Sequence, residues 1–148
     1  MADPLSLVAS VITVASAAAS ISKAISGLRI LGELPARLHV LKNETADLEV
    51  VLRQMGAILE KRQMIPDAEH ASIHTLLRRA NDKLSELSKL LNRIADQIVG
   101  SKAKMINRAA IWWKEKSQLQ TLQEELRAVR VALNMMLGAS HLYGRSIT

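Results

Sequence analysis

The sequence predicts an all-α protein, an antiparallel four-helix bundle with an apolar N-terminal helix. Three observations carry that expectation. Leu, Ala, Glu, Lys and Arg dominate a chain of 148 residues with only six Gly and three Pro, a composition that favours helix from end to end. Three long segments repeat apolar residues three and four apart, which lines them up on one helix face. Ahead of these, Leu5 to Ser22 form an eighteen-residue stretch without a single charge. At 49% apolar residues the chain can bury a core, and with no Phe and 2% aromatics that core must be aliphatic.

The first helix opens with Asp3 as N-cap and Pro4 at the first helical position, runs through Leu31 and stops at Gly32. The second begins at Pro35 and carries Leu38, Leu41, Thr45, Leu48, Leu52, Met55 and Leu59, a heptad seam with one polar interruption at Thr45. Pro66 then breaks the chain, and Asp67 and Glu69 bring negative charge to the first turn of the third helix. Its seam is Ile73, Leu77, Ala80, Leu84, Leu87, Leu91, Ile94 and Ile98, ending at Gly100. The fourth helix starts between Ser101 and Asn107, shows Leu119, Leu122, Leu126, Val129, Leu133 and Met136, and stops at Gly138. Residues 1–138 are therefore expected to form one bundle, with the first helix packed among the other three, and 139–148 a flexible tail. A dimeric coiled coil is the rival architecture.

Several function classes are disfavoured. The chain has no cysteine, which excludes disulfides and thiolate metal sites. Gly27, Gly32, Gly56, Gly100, Gly138 and Gly144 make neither a dinucleotide fingerprint nor a P-loop, so no nucleotide cofactor is expected. His70 and His74 share a helix face at metal-binding spacing, yet no third ligand is evident, and they are read as surface histidines. Asn43, Glu44 and Thr45 match a glycosylation sequon, which is discounted because Thr45 lies on the core seam. With no catalytic constellation, the protein is not expected to be an enzyme. The opening Met-Ala-Asp-Pro carries an acid where a secretory signal carries positive charge, so the segment reads as mature sequence in the cytoplasm.

The uncharged stretch has two readings. Eighteen helical residues reach roughly 27 Å, close to the roughly 30 Å hydrocarbon core of a bilayer. Only seven are Leu, Val or Ile, namely Leu5, Leu7, Val8, Val11, Ile12, Val14 and Ile21. At about 0.3 to 0.6 kcal/mol each they supply only a few kcal/mol towards insertion, partly offset by five serines and Thr13. Small residues also recur four apart, as in Ala15 and Ala19 or Ser16 and Ser20, which lets another backbone approach closely. A core helix of a soluble bundle has the same character, and the two readings do not exclude each other.

The net charge of +6 is uneven. Between Gly100 and Ser117 stand Lys102, Lys104, Arg108, Lys114 and Lys116 against Glu115 alone, and the same segment holds Trp112 and Trp113. Extending the fourth seam backward through Glu115 reaches Trp112, which leaves Trp113 leaning sideways or outward. Trp at a bilayer interface beside cations drawn to anionic headgroups is one explanation. A Trp plugging the end of the bundle amid solvated lysines is the other. Nucleic acid is not an expected partner, since no stacking platform or recognition-helix pattern accompanies the cations.

The opening MADPLSLVASVITVASAAASISKAISGL, the basic segment ending in Ala-Ile-Trp-Trp-Lys-Glu-Lys, and the Leu-rich run after Leu119 together resemble the HeLo-like domains. These stand at the N-termini of fungal NLR-like (STAND) proteins and related cell-death effectors. The resemblance implies a helical bundle that induces programmed cell death by acting on membranes, held inactive until a receptor or amyloid signal brings copies together. It implies anionic lipids, self-association and an NLR or amyloid-signalling module, in cis or in trans, as partners. It also implies a cytoplasmic resting state and the plasma membrane as the site of action. No such module is read after Gly138, so the chain is expected to be the effector portion alone. The alternative is a non-lytic oligomerisation or adaptor bundle of an NLR-like protein.

Overall fold

The chain folds into α1 (Pro4–Gly27), α2 (Ala36–Glu60), α3 (Asp67–Gly100) and α4 (Met105–Ile147), an all-α four-helix bundle with an apolar N-terminal helix. The structure is a computed structural model and describes residues 4–28, 36–100 and 105–147, less the side chains of 98–100, 105–109, 112 and 140–147. Asp3, Gly32 and Pro35, expected as a cap, a stop and a start, lie outside the described residues.

α1 begins at Pro4 as expected, where the missing N–H costs nothing. It runs as α-helix to Gly27, and Leu28 follows in a tighter 3-10 turn with its side chain buried; the expected end at Leu31 lies outside the described residues. A difference lies at the far end of the chain. Gly138 does not stop α4, which continues to Ile147 through the segment expected as a loose tail. A single exposed Gly costs a helix interior about 1 kcal/mol, and Leu137 beside it is buried and holds the helix on the bundle.

The seams do what their spacing predicts. All seven seam residues of α2, and those of α3 from Ile73 to Ile94, are buried; Ile98 lies outside the described side chains. In α4 burial passes from Leu133 to Leu137, leaving Met136 half-buried. An unsupercoiled helix has 3.6 residues per turn, so a strict heptad drifts around it over a helix this long.

Each helix packs on two others. α1 lies against α2 and α3, and α4 against α2 and α3, so α1 and α4 sit on one diagonal and α2 and α3 on the other. α1 is thus a corner helix, not one packed among three. Its small residues make this possible, because an outward face built largely of Ser6, Ala9, Thr13, Ser16, Ser20 and Ala24 loses little by meeting water. Polar contacts set the directions. Ser6 meets His70 near the start of both α1 and α3, which run parallel, whereas Ser22 meets Thr45 and Val11 meets Gly56, so α1 and α2 are antiparallel. Lys83 pairs with Glu125 and Arg93 with Glu115, which makes α3 and α4 antiparallel. The bundle is therefore two antiparallel hairpins laid side by side, joined by a crossover on the diagonal.

That crossover spans residues 61–66. Arg62 clamps Glu69 through two hydrogen bonds of 2.6 and 3.1 Å, and Ile65 is fully buried, plugging the end of the core. The polar interruption at Thr45 is also explained. Its hydroxyl donates to the Lys42 carbonyl at 2.9 Å, which leaves its oxygen to accept from Ser22 at 2.8 Å.

Between α2 and α4 the Glu44 carboxylate accepts from Arg130 Nε at 2.5 Å, with Glu44 only 8% exposed. Truncating Arg130→Ala would leave that carboxylate desolvated and alone. The loss should be about 2 to 3 kcal/mol, below the fully buried case because Arg130 is partly wet, and it is read as a lower urea midpoint. Arg130→Ala combined with Glu44→Leu should recover most of it.

Candidate membrane interface

The seven aliphatic residues singled out in the first helix divide into two sets. Leu7, Val8, Val11, Val14 and Ile21 are buried in the core, whereas Leu5 is 70% and Ile12 51% exposed. Leu5 and Ile12 are seven apart and share the outer face. Ala15 and Ala18 are fully buried, and across from them Gly56 lets α2 come so close that a β-carbon there would stand 3.2 Å from Val11 Cγ1. Ala15 of α1 and Gly56 of α2 thus allow a close approach, whereas Ser6, Ala9, Thr13, Ser16 and Ser20 of the four-apart pairs are exposed.

Two hydroxyls of α1 are satisfied within the helix. Ser10 donates to the Ser6 carbonyl at 3.1 Å and Thr13 to the Ala9 carbonyl at 3.0 Å. Groups bonded this way carry a smaller penalty into an apolar phase than free hydroxyls do. α1 is long and apolar enough to cross a membrane, with 39% of its apolar window buried in the bundle. A core helix meets the same two criteria.

The basic segment is described in part. Lys102 and Lys104 lie outside the described residues, as do the side chains of Arg108 and Trp112. Trp113 is 75% exposed, the outward one of the two orientations its position predicts, and Lys116 Nζ sits 4.8 Å from its ring centroid. Lys114 is exposed as well. Glu115 turns inward and is buried, with Arg93 Nη2 3.7 Å away. An exposed indole carrying a cation on its face pairs an amphipathic ring with a positive charge, the combination found at lipid headgroups.

The fold does not bring the two sets together. Among the described residues the backbones of α1 and α4 do not come near each other, and the register places Leu5 near the start of α3 and Trp113 near its end. From His70 to Arg93 along α3 is about 35 Å. The two regions thus stand towards opposite ends of the resting bundle.

Other chemistry is sparse. Among the described residues no three His, Asp or Glu are grouped as a metal site, and His70 and His74 stack with centroids 6.4 Å apart. Glu125 raises the Lys83 ammonium above its ordinary value by a hydrogen bond, against the opposing effect of desolvation, with Glu86 adding to the rise. A raised lysine contributes stability in full below its unfolded value near 10.5 and loses it only as pH climbs through the folded one, so neutral pH leaves this pair intact. The Ser22–Thr45 pair, the Gly56 contact and the Glu44–Arg130 pair were not legible as sites, because their partners lie far apart in the chain.

No curated protein and no solved structure matches the chain. A family model does: SesA, described as an N-terminal domain on NACHT NTPases and P-loop NTPases, matches residues 8–130. That span is most of the bundle, and the chain belongs to the SesA family, an N-terminal regulatory or effector domain of NLR-like STAND proteins rather than their catalytic NTPase unit.

Proposed function

We propose that this domain is a HeLo-like, membrane-perturbing effector of programmed cell death, cytoplasmic at rest and acting at the plasma membrane once copies are brought together. The observation that carries the reading is α1, a helix of spanning length whose aliphatic side chains are mostly stored in the core. A NACHT module in cis fits the family and would supply the clustering signal.

Magnitudes favour a triggered step. The aliphatic residues of α1 supply about 2 to 4 kcal/mol towards insertion. Withdrawing α1 wets the core side chains of α2 and α3 that pack against it, at about 1.5 to 3 kcal/mol for each one fully exposed. The sum opposes spontaneous insertion by several kcal/mol. Self-association that covers the same surface again would offset it.

Ile12 allows a clean test. It lies near the middle of the apolar stretch yet is half-exposed, so Ile12→Glu adds about 2.5 to 3.5 kcal/mol at the bilayer centre while leaving the fold intact. The variant should melt like wild type and lose leakage of anionic liposomes. Wild-type leakage by a folded Ile12→Glu protein would rule out a spanning α1 and favour the adaptor bundle.

The basic segment should add the first encounter. Lys114→Glu with Lys116→Glu should weaken sedimentation with anionic liposomes, and added salt should weaken the wild type too. Equal binding to neutral and anionic vesicles, with no salt effect, would remove the segment from the mechanism.

A further inference from the structure

We infer that the unit which separates on activation is the α1–α2 hairpin, not α1 alone, with residues 61–66 as the hinge and the Glu44–Arg130 pair as the latch. This rests on the membrane reading above for its functional consequence, though the separation itself is a property of the bundle.

The four interfaces are unequal in kind. α1 and α2 share the most extensive one, drawn together at Gly56, closed by Ala15 and Ala18, and fastened by the Ser22–Thr45 hydroxyl pair. Between α1 and α3 the packing is interrupted. Two open grooves of about 350 and 280 Å3 run along it and meet at Asn81, edged by small α1 residues such as Ala9, Thr13, Ala17 and Ser20. A polar contact that bridges the two helices, Ser6 to His70, is 3.5 Å long. Among the described residues the backbone of α1 does not come near α4, nor that of α2 near α3.

If α1 left by itself it would break the α1 to α2 interface, the largest, together with the α1 to α3 interface. If the hairpin leaves as a unit, the largest interface is kept and the smaller α2 to α4 interface is lost in its place. The second route disrupts less packing. A polar obstacle on this route is the ion pair between Glu44 and Arg130, which joins α2 to α4. The hinge is suitably anchored, because Arg62 stays clamped to Glu69 at the start of α3 while α2 ends just before it.

The absence of cysteine makes a paired cross-link test direct. S22C/T45C ties α1 to α2 at a side-chain separation a disulfide can bridge. E44C/R130C, joined by a short bis-maleimide, ties α2 to α4. The hairpin unit predicts that oxidised S22C/T45C leaks anionic liposomes within about twofold of its reduced form, while joined E44C/R130C falls at least tenfold below its unjoined form. The opposite pattern, with S22C/T45C silenced by oxidation and E44C/R130C unaffected by joining, overturns it in favour of α1 alone. Native-state hydrogen exchange on the wild-type protein without lipid keeps the two readings apart. If amides of α1 and α2 open in one step while nothing leaks, the membrane reading fails and the hairpin stands; if α1 opens while α2 stays protected, the hairpin fails.

Discussion

Leu126→Asp is expected to unfold the domain, and Leu84→Asp to come close to it. Both side chains sit mid-seam in the core, Leu126 fully buried and Leu84 1% exposed. Aspartate there removes about 2 to 3 kcal/mol of apolar burial and sets a carboxylate in an aliphatic core, which adds several kcal/mol more. A domain of this size has about 5 to 15 kcal/mol in total, so a single substitution takes most of it. Thermal melts followed by circular dichroism should show the helical transition lowered by tens of degrees or absent. An unchanged melt for both variants would mean that these positions do not face the core.

Deleting Met1 to Ser10 should abolish toxicity in a fungal cell and leakage of liposomes. The cut shortens the apolar run below spanning length, since Val11 to Ser22 covers about 18 Å. Seams in α2, α3 and α4 suggest that the remainder stays helical. Packing adds a cost the seams alone do not reveal, because Leu7 and Val8 are buried and their loss opens the core. About 3 to 5 kcal/mol of stability should go with them. The truncated protein must therefore be assayed below its lowered melting point. Toxicity that survives in a folded truncation would exclude α1 insertion as the mode of action.

Helix number, order and core face were legible because they are local properties. Spacing alone assigns Leu48 and Leu52 to the inside of α2, and Asp67 and Glu69 to the first turn of α3. Where the reading missed, the competing effect was tertiary or one of phase. Gly138 looked like a stop because glycine is a poor helix former, yet Leu137 fastens the helix to the bundle and α4 runs on. Met136 looked like the next seam residue, and the drift of a 3.6-residue turn put Leu137 there instead.

By itself the sequence determined that this is an all-helical, aliphatic-core protein, that its first helix is long and apolar enough for a bilayer, and that Trp113 points away from the seam. Only the tertiary structure decided which side of α1 faces water. An uncharged helix of mixed aliphatic and small residues has no strong polar face, so its orientation is set by the surface it meets. That surface is α2, where Gly56 admits Val11 and Thr45 receives Ser22. The structure likewise decided that α1 and α4 stand on a diagonal, and that Glu44 is held by Arg130, 86 residues away. Such pairings depend on which helices become neighbours, and amphipathic spacing carries no record of which seam packs against which.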